Sequence, residues 1–148
     1  MSRFAARVEA LNILYEADEK DESIEKVLQE RLRIQEEGIV ADLKPLPEYS
    51  IEILKGVAAH LEEIDAIISA SSTWRLERMG VVDRNILRIG VWECLYGQAG
   101  STGAYINEAV KLAKIYCDSK SMNFVYGVMC AASGRKREDK SGKADSIE

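Results

Sequence analysis

The residues best suited to chemistry in this 148-residue chain are three cysteines and a single histidine. Cys94, Cys117 and Cys130 lie far apart without a Cys-X-X-Cys pair, and His60 is the only imidazole. A zinc site needs about four ligands at recognisable spacing, and Ser-His-Asp or Cys-His catalysis needs a positioned histidine. The sequence therefore predicts buried free thiols, a surface histidine on a helix, and no metal or other cofactor, and it weakens the case for histidine-dependent catalysis.

A second chemical feature is the stretch VVDRNILRIGVWECLY, residues 81–96, which carries four charges among apolar residues. A helix that is apolar on every side is typical of a core, and core helices rarely carry charges without partners. We expect Asp83 to cap the helix N-terminus. For the other charges, Arg84, Arg88 and Glu93, the plainer interpretation is buried ion pairs that fix packing.

The overall charge limits the classes of ligand. The formal net charge is −5 and the isoelectric point is near 5.1. An acidic chain repels a phosphate backbone, so nucleic-acid binding requires a local basic patch or a partner that supplies one. No apolar run reaches the length of a membrane span and the first residues do not resemble a signal peptide, so we expect a cytoplasmic protein.

Apolar residues recur at helical spacing through most of the chain, and strand-like alternation is nearly absent. The pattern predicts an all-α fold of about six or seven helices, with Gly38 and Gly80 as terminators and Pro45 and Pro47 in a connector. The main helices are expected at residues 3–17, 23–36, 49–68, 83–96, 105–116 and 121–132. Ser23 is the candidate N-cap of the second helix, and Ser119 or Ser121 that of the last. Residues 1–133 are predicted to form one domain, and the polar segment 134–148 a disordered tail.

Three stretches in order make the chain recognisable: VDRNILRIGVWECLY, then INEAVKLAKIY, then FVYGVM. Together with the N-terminal ARVEALNILYE they resemble the NusB family of transcription antitermination factors. The resemblance covers residues 3–132, and three ordered motifs are far more specific than one. It implies two small helical bundles packed across each other.

The resemblance also implies a function without catalysis. Members of the family bind boxA RNA, which is single-stranded, together with a small-subunit ribosomal protein that doubles as NusE. The pair joins other Nus factors on the elongating RNA polymerase and suppresses termination, notably in ribosomal RNA operons. An acidic protein suits this role, because a basic partner can share the contact with RNA.

Residue by residue, the resemblance assigns two kinds of contact. Arg3 and Arg7 match the basic N-terminal segment that contacts RNA. The surface for NusE corresponds to Tyr15, Asp83 and Phe124. If the family's two-bundle fold applies, the interior charges Arg84, Arg88 and Glu93 become internal ties between the bundles.

Further residues have both a functional and a structural interpretation. Trp74 could stack on a base beside Arg75 and Arg78, whereas Tyr105 and Trp92 are more typical of a core. Three lysines could extend a phosphate-contacting face or simply remain solvated: Lys111, Lys114 and Lys120. Asn107 and Glu108 are interpreted mainly as residues that support the start of a helix.

Two alternatives remain at this point. Asn123 and Tyr126 stand where many family members have lysine and asparagine, and the N-terminal basic segment is thin. These departures favour, as the alternative, a helical protein-interaction module that has lost RNA binding. Some NusB-like proteins also pair into homodimers that cover the RNA surface, and the sequence does not distinguish these from monomers.

Overall fold

The computed structural model describes the backbone of residues 2–147 and the side chains of residues 2–134. Within that part the chain is all-helical, which confirms the predicted fold class. The seven α-helices are α1 (Arg3–Lys20), α2 (Ile24–Glu37), α3 (Glu48–Ala59), α4 (Leu61–Ser71), α5 (Val81–Tyr96), α6 (Thr102–Tyr116) and α7 (Ser119–Ile147). A short 3₁₀ turn, Leu76–Arg78, precedes α5.

The chain divides into two compact units, residues 1–60 and residues 61–148. The division falls inside the expected third helix, so the prediction of one helix over residues 49–68 is wrong. At His60 the backbone leaves helical geometry, with φ −121° and ψ 23°, and the His60 N–H bonds to the carbonyls of Gly56 and Val57. The apolar spacing continues through this break, so periodicity alone could not locate it.

Unit 1 consists of α1, α2 and α3, each of which packs against the other two. Helix α2 begins and ends at residues that the sequence predicted as its cap and its terminator. Ser23 caps α2 by accepting a hydrogen bond from the Lys26 N–H at 3.1 Å, as expected. Gly38 ends α2 with a φ of +64°, a left-handed conformation in which a side chain would be strained, which confirms the predicted stop.

Unit 2 contains α4 to α7, with α5 in contact with α4, α6 and α7. Residues 85–94 of α5 are all buried. At Gly90, a Cβ would lie 2.7 Å from the Met129 Sδ and 3.3 Å from the Ala109 Cβ. The absence of a side chain at this position therefore allows α5 to approach α6 and α7 closely.

The charge at Arg88 is satisfied inside unit 2. Its guanidinium donates to both carboxylate oxygens of Asp65 at 2.9 Å, and to the Asn85 Oδ1 at 3.0 Å. Asn85 in turn donates to the Val81 carbonyl at 3.0 Å. Asp65 belongs to α4 of the same unit, so this ion pair joins α4 to α5 and is not a tie between bundles.

Three helix starts differ from the prediction. Gly80, not Asp83, is the residue before α5, and Asp83 lies in the first turn, where a carboxylate favours the helix dipole. Helix α6 begins at Thr102 with Ser101 as its cap, so Asn107 and Glu108 are in the second turn and do not start it. At α7 the capping side chain is Asp118 and not a serine. Its carboxylate accepts a hydrogen bond from the Ser121 N–H at 2.8 Å.

Helix α7 extends beyond residue 132, the end expected from the sequence. The side chains of residues 135–148 lie outside the described part of the chain, and the expected tail, residues 134–148, falls almost wholly on them. Its disorder and the domain boundary at residue 133 stay predictions. Among the described residues, no helix combines the length and apolarity that crossing a bilayer requires.

Candidate functional site

A groove of about 340 Å³ lies in unit 2 where the 3₁₀ turn, the start of α5 and the start of α7 meet. It brings together five residues that the sequence analysis singled out for two different partners. These are Trp74, Arg78, Asp83, Lys120 and Phe124. Met79, Gly80 and Ser121 complete the lining.

Asp83 forms the acidic wall of the groove. It is partly buried, and its carboxylate accepts a hydrogen bond from the Ser121 hydroxyl at 2.9 Å. The neighbouring Cys117 thiol is also affected: burial, and then hydrogen bonding to Asp83, raises its pKa to about 12. Asp83 thus joins α5 to α7, and burial together with this carboxylate disfavours the thiolate form of Cys117.

Cations and aromatic rings form the rest of the groove. Arg78 and Lys120 are exposed, Phe124 is half-buried, and the Trp74 side chain is 59% exposed. Exposed cations contact phosphate and exposed rings stack on bases, which is the combination that single-stranded nucleic-acid sites use. The carboxylate of Asp83 adds an acceptor for a protein or base donor.

Arg75 is exposed next to Trp74 and lines a second, adjoining hollow with it. The loop is ordered locally by the Ser72 hydroxyl, which accepts from the Trp74 N–H at 3.0 Å. Lys111 and Lys114 are exposed on α6 and do not line the groove. Of the three predicted lysines, only Lys120 therefore joins the cluster.

The predicted residues of unit 1 lie on α1. Arg3 is exposed at the start of the helix, whereas Arg7 is only 5% exposed and so offers little surface to a ligand. Both guanidinium carbons lie over the Tyr49 ring, at 4.2 Å for Arg3 and 5.7 Å for Arg7 from its centroid. Tyr15 is 42% exposed further along α1.

The aromatic residues interpreted as core are buried. Tyr105 and Trp92 are 4% and 5% exposed, which confirms that interpretation. Asn123 and Tyr126, the departures from the family pattern, are both exposed on α7. Both departures therefore change a surface and not the core. On that surface, hydrogen bonding to Cys130 raises the pKa of Tyr126.

The structure adds two residues that the sequence analysis did not select, Tyr49 and Ser121. It also corrects the expectation of buried thiols, because only Cys94 is buried, while Cys117 is partly buried and Cys130 is exposed. Tyr49 follows a Pro-Leu-Pro-Glu connector, and nothing in the one-dimensional pattern relates it to Arg3. Ser121 was considered only as a helix cap, because its contact with Asp83 joins residues that are distant in sequence. Among the described residues, no group of three or more His, Cys, Asp or Glu is placed to hold a metal ion.

Comparison with known proteins gives the same assignment along nearly the whole chain. The model of the NusB family matches residues 5–133. The transcription antitermination protein NusB of Bifidobacterium longum subsp. infantis is 47% identical over 137 residues, which cover 92% of this chain and 71% of the relative.

Solved structures extend the match to three dimensions. NusB from T. maritima superposes with a TM-score of 0.74 at 28% identity, over 90% of this chain and 92% of that one. A structure of the antitermination factors NusB and NusE with double-stranded RNA superposes with a TM-score of 0.72 at 31% identity, over 91% and 99%. Sequence, fold and length of the match agree, and the chain belongs to the NusB family.

Proposed function

We propose that this protein is a cytoplasmic transcription antitermination factor that binds boxA-like single-stranded RNA jointly with NusE. The complex joins other Nus factors on the elongating RNA polymerase, notably on ribosomal RNA operons. The observation that carries the proposal is the 47% identity, over 92% of the chain, to a protein named for transcription antitermination. That name also agrees with the expectation that the protein is not an enzyme.

The groove of unit 2 supports joint binding because residues of both expected kinds line it. We assign the exposed cations Arg78 and Lys120 to RNA phosphates and Trp74 to base stacking. Asp83 and Phe124 are assigned to NusE, where an acidic and an aromatic side chain would meet a basic partner. RNA and NusE would then lie side by side on unit 2.

The remaining predicted residues extend these contacts. Arg75 lies beside Trp74, and we place it with Lys111 and Lys114 on the margin of the RNA path. In unit 1, the exposure of Arg3 suits a direct phosphate contact, and the burial of Arg7 suits a supporting role. Tyr15 is proposed as a further contact for NusE, because it is an exposed aromatic residue.

The net charge of −5 explains why a partner is needed. A few cations in a groove give weak, salt-sensitive binding when the rest of the surface repels phosphate. NusE would supply additional positive charge at the RNA. We therefore expect weak RNA binding by the protein alone and tight, sequence-dependent binding by the pair.

The test is a fluorescence anisotropy titration of a labelled boxA oligonucleotide, with the protein alone and with NusE, against a scrambled oligonucleotide. The double variant Arg78→Ala/Lys120→Ala should weaken binding by the pair and reduce its salt slope by about 0.7 per lost phosphate contact. Arg33→Ala, which removes an exposed positive charge from α2, is the matched control and should leave the affinity unchanged.

The outcomes separate the two candidate functions. Preference for boxA over the scrambled sequence, with loss in the groove variant only, supports the proposal. If NusE binds but boxA affinity is absent with and without it, the chain is instead the protein-interaction module that has lost RNA binding.

A further inference from the structure

One aromatic ring in unit 1 contacts both arginines of the N-terminal segment. The guanidinium carbons of Arg3 and Arg7 lie 4.2 Å and 5.7 Å from the Tyr49 ring centroid. Both distances are within the range of a cation-π interaction. Residues four apart on a helix share a face, so a single tyrosine on α3 can serve both.

The two arginines differ in how much of the side chain is exposed to solvent. Arg7 is buried and the Arg3 side chain is exposed. A guanidinium over an aromatic ring retains N–H donors in the fork geometry that suits a phosphate. Arg3 is therefore held on one side by the ring and is available to a ligand on the other.

Tyr49 is itself fixed against α1 by its neighbour in sequence. Ser50 is fully buried, and its hydroxyl donates to the Ala6 carbonyl at 2.7 Å. Ala6 lies between Arg3 and Arg7 on α1. This bond sets the first turn of α3 against the first turns of α1, and so sets the ring against the guanidinium groups.

The connector before α3 is held in place from α2. The Leu46 N–H donates to the Gln35 Oε1 at 2.8 Å, and the Arg31 guanidinium donates to the Lys44 carbonyl at 2.7 Å. Leu46 is 5% exposed. All three helices of unit 1 thus contribute to the position of Tyr49, which lines a groove together with Arg3.

We propose that Tyr49 is a positioning residue for RNA binding, whose ring holds the Arg3 guanidinium ready to contact a backbone phosphate of the bound RNA. A free arginine side chain loses much rotamer freedom when it binds. Arg3 loses part of that freedom on folding, so less is lost on association. The inference rests on the proposed function, and it explains how a thin basic segment could contribute to RNA affinity.

The test measures boxA affinity of the NusE complex for Tyr49→Phe, Tyr49→Leu, Arg3→Ala and the double variant Arg3→Ala/Tyr49→Leu. Tyr49→Phe keeps the ring and should bind like the wild type. Tyr49→Leu should weaken binding about 3- to 10-fold, the cost of immobilising one more long side chain on association. In the Arg3→Ala background, Tyr49→Leu should have no further effect, because the ring acts through Arg3.

A second substitution keeps the inference testable if Tyr49→Leu does not fold. Arg3→Lys, at an exposed position, retains the charge but loses the planar group that stacks on a ring. Because the lysine side chain is not held on the ring, it must be ordered on binding, and this variant should weaken boxA binding about 3-fold. The melting temperature of each variant, followed by circular dichroism, identifies any loss that comes from unfolding.

Each result has one interpretation. If the wild-type pair binds boxA, three results overturn the inference and leave the proposed function intact. They are an unchanged affinity of Tyr49→Leu, an unchanged affinity of Arg3→Lys, and an effect of Tyr49→Leu that persists in the Arg3→Ala background. Absence of boxA binding by the wild-type pair overturns the proposed function, and the inference with it.

Discussion

The interior of α5 and the groove at its start both carry charges, but their surroundings differ. Arg88 is 8% exposed, and its guanidinium bonds to Asp65 and Asn85. In the groove, Arg78 and Lys120 are exposed, and Asp83 is only partly buried. A charge satisfied within the protein contributes to its fold, whereas a cluster open to solvent is available to a ligand.

The largest expected effect concerns Cys117, because its pKa depends on its burial and on the neighbouring Asp83 carboxylate. Its pKa of about 12, against an ordinary value of 9.0, lowers the thiolate fraction about 1000-fold in the folded state at pH 8. Alkylation of Cys117, followed by peptide mass spectrometry, should be slower by about that factor in native protein than in urea.

The variant Asp83→Asn sharpens this measurement. It removes a negative charge beside the thiol, so native alkylation of Cys117 should become faster while that of exposed Cys130 stays the same. Because the pKa is raised on folding, the reaction of the native wild type should continue to accelerate above pH 9, where an ordinary thiol levels off. Equal native and denatured rates would show that Cys117 is not enclosed beside Asp83.

The next effect tests the interior side of the comparison. Arg88→Ala leaves the Asp65 carboxylate without its bidentate partner and should lower the free energy of unfolding by about 3 kcal/mol, measured by urea denaturation. That is the lower end for a buried pair, because the Asp65 side chain is 21% exposed. The exposed control Arg33→Ala should leave the urea midpoint nearly unchanged. Equal destabilisation by both variants would mean that the interior pair has no special role.

The smallest expected effect is in the groove itself. Asp83→Lys and Phe124→Asp should each weaken NusE binding about 10-fold, measured by calorimetry, because both lie in the surface assigned to that partner. The helical circular dichroism signal should be retained. Glu36→Lys makes the same charge change as Asp83→Lys, at an exposed position of α2, and serves as its control. Unchanged NusE affinity in both groove variants would contradict the assignment of this surface.

The sequence was most informative where structure is local. Helical spacing predicted the all-α fold, and Ser23 and Gly38 marked the ends of α2 because caps depend on nearby backbone groups. It failed at His60, where the apolar pattern continues while the chain changes unit. It also placed the cap of α5 at Asp83, although that carboxylate bonds to Ser121 on α7.

The candidate site shows the same limit. The family resemblance selected Asp83 and Phe124, and composition near a loop selected Trp74 and Arg78. Their shared groove depends on packing between elements that are far apart in sequence. Tyr49 could not be selected at all, because its relation to Arg3 depends on the α1 and α3 contact.

The most direct test of joint recognition is the affinity for NusE measured by calorimetry with and without the boxA oligonucleotide. Binding free energies of two ligands on one protein are linked reciprocally, so boxA must tighten NusE binding by the factor by which NusE tightens boxA binding. We predict a gain of about 10-fold or more with boxA and none with a scrambled oligonucleotide. An affinity for NusE that is the same with boxA, with the scrambled oligonucleotide and without RNA would contradict the account.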